Sequence, residues 1–360
     1  DHAGVLDSFG HLDEYSKDLP TAMTKRSLPA RIGAWVLMLA IVAAVVFGSS
    51  TFAQRQAPHP DVATVFVSPH PDDEFQMWSL VEGRPNEYKI FVTMTMGDAT
   101  GFCEPEAYER AFQGELGEVP ADPMPEGKGS EACEKARMAA LLGFFTQMSQ
   151  ADPTVPGDFG EAEVFTLPPS DENDCEEDPS GETGGDAGVN DTAGCPRSSR
   201  VLVWGDRQDR GALVVFDLGD GTLSVDAVAH ALNAMLEARE EWDLAPEFPV
   251  GAMVAAFANQ GTRCYSYPHP DHVAVAQTLW SVDFGVGPQL GATCYVGRQQ
   301  LMTAVVSKAS ADAAFELGED GTRIGAHGRY YGWLHGDVYP LSYAQTTLFH
   351  RLQSFWVRFN

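Results

Sequence analysis

The stretch that decides the fold runs Asp61-Val62-Ala63-Thr64-Val65-Phe66-Val67-Ser68-Pro69-His70-Pro71-Asp72-Asp73-Glu74. Asp61–Val67 is β-branched and apolar, and it stops abruptly at Ser68-Pro69. An apolar run without polar alternation belongs to a strand covered on both faces. Pro71 can open the helix that follows, where its missing N–H costs nothing. His70 and Asp73, three apart across a tight turn, can aim at one point, and Asp72 between them is left for another task. That set supplies two zinc ligands and an adjacent base. A plainer reading is electrostatic: Asp72, Asp73 and Glu74 are acids in a helix's first turn, where the dipole favours them.

Working outward, the pattern alternates. Phe75–Val81 reads as a short helix, and Tyr88–Thr95 as a second buried strand running into Gly97-Asp98. Glu131–Phe145 is helical, with Gly143 near its end. Val201–Trp204 and Ala212–Asp217 read as strands, Ser224–Glu240 as an amphipathic helix, Val250–Phe257 as a strand and His272–Trp280 as a helix. This order predicts an α/β fold: a Rossmann-like, mostly parallel sheet with helices on both faces. Such sheets bind ligands beyond the carboxyl ends of their strands. There is no internal repeat.

A second cluster, Tyr267-Pro268-His269-Pro270-Asp271-His272, again sets a histidine at i and a donor at i+3 around a proline, between a strand and a helix. It supplies the third ligand that a catalytic zinc site needs. Two such clusters at two strand-to-helix junctions are hard to assign to capping. His59-Pro60-Asp61-Val62 is an internal control: it precedes the first strand and carries valine where a ligand would fall, so it reads as a linker.

The pair Pro69-His70-Pro71-Asp72-Asp73-Glu74 and His269-Pro270-Asp271-His272 resembles the PIG-L/LmbE-like zinc-dependent N-acetyl deacetylases. The resemblance covers roughly residues 62–280 and includes Thr95-Met96-Gly97-Asp98 and Leu142-Gly143 between the motifs. It implies a Zn2+ ion held by His70, Asp73 and His272, with Asp72 as general base on a metal-activated water. It implies that His269 stabilises the oxyanion or protonates the leaving amine, and that Tyr267 helps polarise the carbonyl. Asp98 would lie near the substrate's hydroxyls. The division of work is chemically coherent: zinc lowers the pKa of its water to about 7, a carboxylate takes the proton, and a donor meets the developing oxyanion. The chain departs from the family pattern in three places. Gln76-Met77-Trp78-Ser79 replaces the glycines common after the first motif, Glu131 stands where many members carry a substrate arginine, and an acidic insertion has no counterpart. All three bear on substrate recognition rather than on the metal.

Charge and the amino end bound the setting. The 360 residues carry 51 Asp and Glu against 23 Lys and Arg, a net charge of −28. That argues against a nucleic-acid partner and against docking on anionic lipid. It also disfavours a phosphoinositide substrate and leans toward a neutral or cationic amino-sugar. Residues 151–200 hold thirteen acids and two bases, and Asp171–Arg200 is almost without apolar residues, which reads as an acidic surface insertion with little regular structure. A calcium loop is the alternative, without EF-hand spacing. Residues 32–48 form an apolar run after Lys25, Arg26 and Arg31, with Thr51-Phe52-Ala53 as a cleavage box: an export signal or an uncleaved anchor starting at Met23. Residues 1–53 therefore read as an upstream segment plus signal, and 54–360 as one catalytic domain. Membrane contact is expected only through that anchor.

Six cysteines follow the signal, and in an exported chain neighbour pairing gives 103–133, 175–195 and 264–294. His230 reads as structural. His327 and His335 flank the aromatic, glycine-rich Gly328–Trp333, which reads as core packing with a sugar-stacking platform as the alternative. The expectation is an exported zinc amidohydrolase that removes acetyl from an N-acetylated amino-sugar or related glycoconjugate. Its rivals are a non-catalytic glycan-binding protein on the same fold and a zinc hydrolase of another amide or ester.

Overall fold

In the computed structural model the first motif follows strand β1 (Val62–Ser68), whose residues from Ala63 onward are all buried. The structure describes residues 60–110, 124–168, 199–258, 267–293, 301–335 and 349–359. After β1 come a 3-10 segment at Glu74–Leu80, β2 (Glu87–Thr93), α1 (Pro105–Arg110) and the long helix α2 (Glu131–Ala151). Then follow β3 (Glu163–Leu167), β4 (Ser199–Gly205), β5 (Gly211–Phe216), α3 (Val225–Glu237), β6 (Val250–Ala255) and α4 (Pro270–Ser281). β7 (Gln289–Thr293), β8 (Leu301–Val305), α5 (Lys308–Phe315), α6 (Ala326–His335) and β9 (Leu352–Arg358) complete the order.

The described strands form one sheet in the order β3-β4-β5-β2-β1-β6-β7-β9-β8. The five central strands, β5-β2-β1-β6-β7, run parallel. The outer pairs on both sides are antiparallel. The α/β expectation therefore holds, with antiparallel margins that the apolar pattern does not reveal. The chain lays β2 and β5 on one side of β1 and then returns to lay β6 on the other. That reversal opens a crevice beyond the carboxyl ends of β1 and β6, the place where doubly wound sheets bind ligands. Val67 stands opposite Ala255, so β1 and β6 end at nearly the same level.

Period-two alternation sorts the core. Val65 and Val67 of β1 face one layer with Val92, Val214, Val228, Leu232 and Leu279, under α3 and α4. Phe66 faces the other with Phe75, Trp78, Phe91, Phe144, Phe145 and Tyr331, under α2, α5 and α6. The aromatic stack is close: Phe91 lies 5.1 Å from Phe66 and 4.5 Å from Phe145 between ring centroids. Helix α2 begins at Ser130, whose hydroxyl accepts from the Cys133 N–H at 3.1 Å. The helix runs on to Ala151, beyond the expected end at Phe145, and in its second half Gly143 admits the Tyr330 ring of α6, since a Cβ there would collide with the ring.

β3 corrects part of the expectation for 151–200. Glu163–Leu167 is an edge strand paired antiparallel with β4, so the acidic stretch carries regular structure before residue 168. Most of its side chains face solvent, which is why no apolar run marks it. Residues 169–198, the 32–48 run, His59 and Cys175, Cys195, Cys264 and Cys294 lie outside the described residues. The Cys103 and Cys133 sulfurs meet in disulfide contact, with Cα atoms 5.5 Å apart. Among the described residues no helix is long and apolar enough to cross a membrane.

Candidate metal centre

The first turn after β1 and the turn before α4 face each other across the crevice. His70, Asp73 and His272 bring one ligand atom each to within 4.8 Å of one another. All three residues are buried. Asp73 sits at the N-cap of the 3-10 segment, yet its side chain makes no cap hydrogen bond, so capping does not explain it.

Each ligand's second polar atom is tied down. His70 Nε2 donates to Asp271 Oδ2 at 2.9 Å, with Asp220 Oδ1 at 3.2 Å. A carboxylate accepts only, so Nε2 carries a proton, and Nδ1, facing Asp73, is the atom that would bind a metal. His272 Nδ1 donates to the Phe257 carbonyl at 2.7 Å, which leaves its Nε2 lone pair inward. Asp73 Oδ1 accepts from Gln76 Nε2 at 2.7 Å, while Gln76 Oε1 accepts from the Phe257 N–H at 2.7 Å. Gln76 thus ties the β1 turn to the end of β6.

Three acceptor atoms remain, facing one point. Asp73 Oδ2 lies 3.4 Å from His70 Nδ1 and 3.2 Å from His272 Nε2. Asp73 Oδ2 and His272 Nε2 are buried without a hydrogen-bond partner. Buried orphans of this kind are costly unless a cation satisfies them. Two nitrogen or oxygen ligands about 2.05 Å from a tetrahedral zinc stand roughly 3.3 Å apart, which is the spacing found. The carboxylate that accepts from a ligating histidine is the usual outer support of such a site. The residues present fit zinc.

The electrostatics agree. Burial alone would lower the His70 pKa, but the carboxylates of Asp220, Asp271 and Asp73 raise it well above the usual value. Burial opposes ionisation of Asp73, yet His272 and His70 hold its carboxyl well below the carboxylate range. Asp220 falls to about 2 against its burial, through His70. The buried carboxylates thus stay charged through the histidines they face.

Asp72 is buried and takes a φ of 111°. That left-handed conformation costs a non-glycine residue about 1–3 kcal/mol and persists only where the surroundings enforce it. Arg137 donates to the Pro71 carbonyl at 2.9 Å and lies 3.9 Å from Asp72 Oδ1. Its guanidinium rests on Gly97, where a Cβ would come within 2.4 Å. Gly97 also has a φ of +63°, so it admits Arg137 twice over. Gly97→Ala is expected to cost about 1–2 kcal/mol of stability from the backbone alone, with Arg137 displaced; urea unfolding at an unchanged m-value measures it.

The remaining expected residues fall at the rim. His269 caps α4, its Nδ1 accepting from the Asp271 N–H at 3.4 Å, so the neutral ring carries its proton on Nε2 as a donor. Burial, then the charges of His70 and His272, lower its pKa. Its ring meets His70 edge-on at 4.8 Å. Tyr267 packs edge-on against His272 at 4.7 Å. Asp98 is half-buried after β2, its pKa raised by burial and then by Asp220, Glu134 and Asp217. His230 bonds the Pro168 carbonyl at 2.7 Å.

Several residues at the centre were not legible as such. Asp271, Gln76 and Asp220 orient the ligands, and Arg137 reaches the motif from α2. Glu131, the position matched to a substrate arginine, instead faces solvent beside Lys135 at 2.6 Å. Gly328–Trp333 is not a sugar platform: it forms part of α6, with His327 and Tyr331 fully buried. An arginine alone in the apolar face of α2 was the one available signal for Arg137.

No protein-family model matches the chain, and no curated protein matches it. Among solved structures, a deacetylase triple mutant from the teicoplanin biosynthetic pathway matches at 12% identity and a TM-score of 0.38, over 83% of this chain and 99% of its own. The zinc-inhibited form of teicoplanin deacetylase Orf2 matches at 11% and 0.37, over 82% and 97%. A deacetylase complex from the same pathway matches at 10% and 0.39, over 82% and 97%. At these scores the functional reading rests on this chain's own residues.

Proposed function

We propose that this chain is an exported zinc-dependent N-deacetylase of the PIG-L/LmbE type, acting on an N-acetylated amino-sugar or related glycoconjugate. The observation that carries it is the convergence of three ligand atoms of buried residues, from His70, Asp73 and His272, with the other polar atom of each side chain already engaged. Zinc bound there supplies Lewis acidity toward an amide carbonyl and a water acidified to a pKa of about 7. Asp72, held beside the ligands, takes the proton of the attacking water. His269 presents its Nε2–H to the oxygen on which charge develops, and a protonated group there completes departure of the amine. Tyr267 shields the ligand histidine and extends the donor side of the site.

The rim favours a neutral or cationic substrate. Asp98, Asp217 and Asp220 stand on one side with Glu134, against the cation Arg200 that pairs with Glu134 and Asp217, and burial followed by neighbouring carboxylates raises the pKa of Asp98 and of Asp217. An anionic headgroup would meet that wall at a Coulombic cost. A glycan-binding protein without turnover has no use for a strained, buried Asp72.

The test is to purify the protein, measure its zinc and follow amine release from N-acetylglucosamine and its glycosides. Release accompanied by about one zinc per chain is expected. Zinc with no turnover on any N-acetyl compound would favour the binding protein, and a chain that takes up no zinc would overturn both.

A further inference from the structure

Asp72 is gripped by a helix 255 residues further along the chain. Its carbonyl accepts from His327 Nε2 at 3.2 Å. Its N–H donates to Glu74 Oε2 at 3.0 Å, and the same oxygen accepts from the Tyr331 hydroxyl at 3.3 Å. His327 and Tyr331 are four residues apart on α6 and so share one face. Between them they reach both peptide units that flank the Asp72 Cα. Those two planes define φ and ψ, and with them the direction of the carboxylate.

We propose that His327 and Tyr331 are positioning residues that hold Asp72 in its left-handed conformation and so aim the base. The Asp72 peptide has little reason to stay at a φ of 111° if left alone. His327 cannot drift from its carbonyl, because its ring is packed against Phe349 at 4.6 Å, Phe315 at 4.9 Å and Tyr331 at 5.3 Å. Glu74 relays Tyr331 to the Asp72 N–H through its Oε2. α6 also lies outside residues 62–280, which carry the resemblance to the deacetylases, so this grip is built from the chain's own carboxyl-terminal third.

Both residues have near-isosteric probes. Tyr331→Phe removes only the hydroxyl, and His327→Phe keeps a ring in the aromatic cluster without the donor. In the zinc-loaded full chain each should lower kcat about 10-fold and the pair about 100-fold, the scale of a misplaced catalytic group. KM and zinc content should stay within about twofold. His327→Gln, which restores a donor, should recover most of the loss. In an Asp72→Asn background the same substitutions should cost nothing further. Crystal structures should show Asp72 at positive φ in the wild type and relaxed in the double variant. The proposal is overturned by a double variant with unchanged kcat, by an undiminished loss in the Asp72→Asn background, or by an Asp72 that keeps its φ in the double variant. The kinetic arms rest on the deacetylase reading. A wild type that releases no amine refutes that reading, while the crystal comparison still decides whether α6 holds Asp72.

Discussion

Asp73→Ala is expected to yield a protein that retains no stoichiometric zinc and releases no amine. The expectation follows from the economy of the centre, where Asp73 offers the only carboxylate among the three converging atoms, and Asp271 lies on the other nitrogen of His70. Losing an outer partner of a zinc ligand typically costs about 10–100-fold in metal affinity or activity. Asp271→Asn, which weakens the support of His70 and also touches the bonds Asp271 accepts from the Gly221 and Leu223 N–H groups, leaves the three ligands in place and should fall in that range. Asp73→Ala should fall well beyond it. Zinc titration of both variants against a chromogenic chelator checks the ordering. Equal affinities in the two variants, or full zinc in Asp73→Ala, would show that the ion sits elsewhere.

Asp72→Asn should separate chemistry from binding. Asparagine has nearly the same shape but takes no proton at neutral pH, so zinc should remain and KM should change little. The rate constant kcat should fall about 10²–10⁴-fold, the usual contribution of a positioned general base. That is roughly 3–5 kcal/mol of barrier. A steady-state profile across pH should lose its acid limb in the variant, because the group whose ionisation defines that limb is gone. Retained kcat with a retained limb would assign the base to another residue.

Much of this arrangement is legible in the sequence because it is local. His70 and Asp73 are three apart, and so are His269 and His272, so a single turn brings each pair to one side. The apolar runs that precede them place each turn at a strand's carboxyl end. The order of strands then sets β1 beside β6, which a sequence reading expects of an α/β sheet without being able to name the neighbours. What is not legible is tertiary. Gln76 looks like a helix residue replacing glycine, and only the folded chain shows it bonded at once to Asp73 and to the Phe257 N–H. Asp220 sits in a polar turn with no motif. Arg137 and Glu131 are both charged residues of one helix, and only packing decides that the first turns to the motif and the second to water. Of the antiparallel strands at the margins, β4 is legible as Val201–Trp204, whereas β3 is largely exposed and β9 is interrupted by Gln353 and Ser354.

The tie between His70 and Asp271 spans 201 residues, and His272 lies one residue further. An ion bound here would join the first and last turns of the parallel core, much as a staple joins two pages. During synthesis the ligand set stays incomplete until His272 has left the ribosome and β6 has docked on β1. Metal capture then reports β1 and β6 docked side by side rather than a local turn. Free zinc at about a hundred times its Kd would add roughly 2.7 kcal/mol to the folded state.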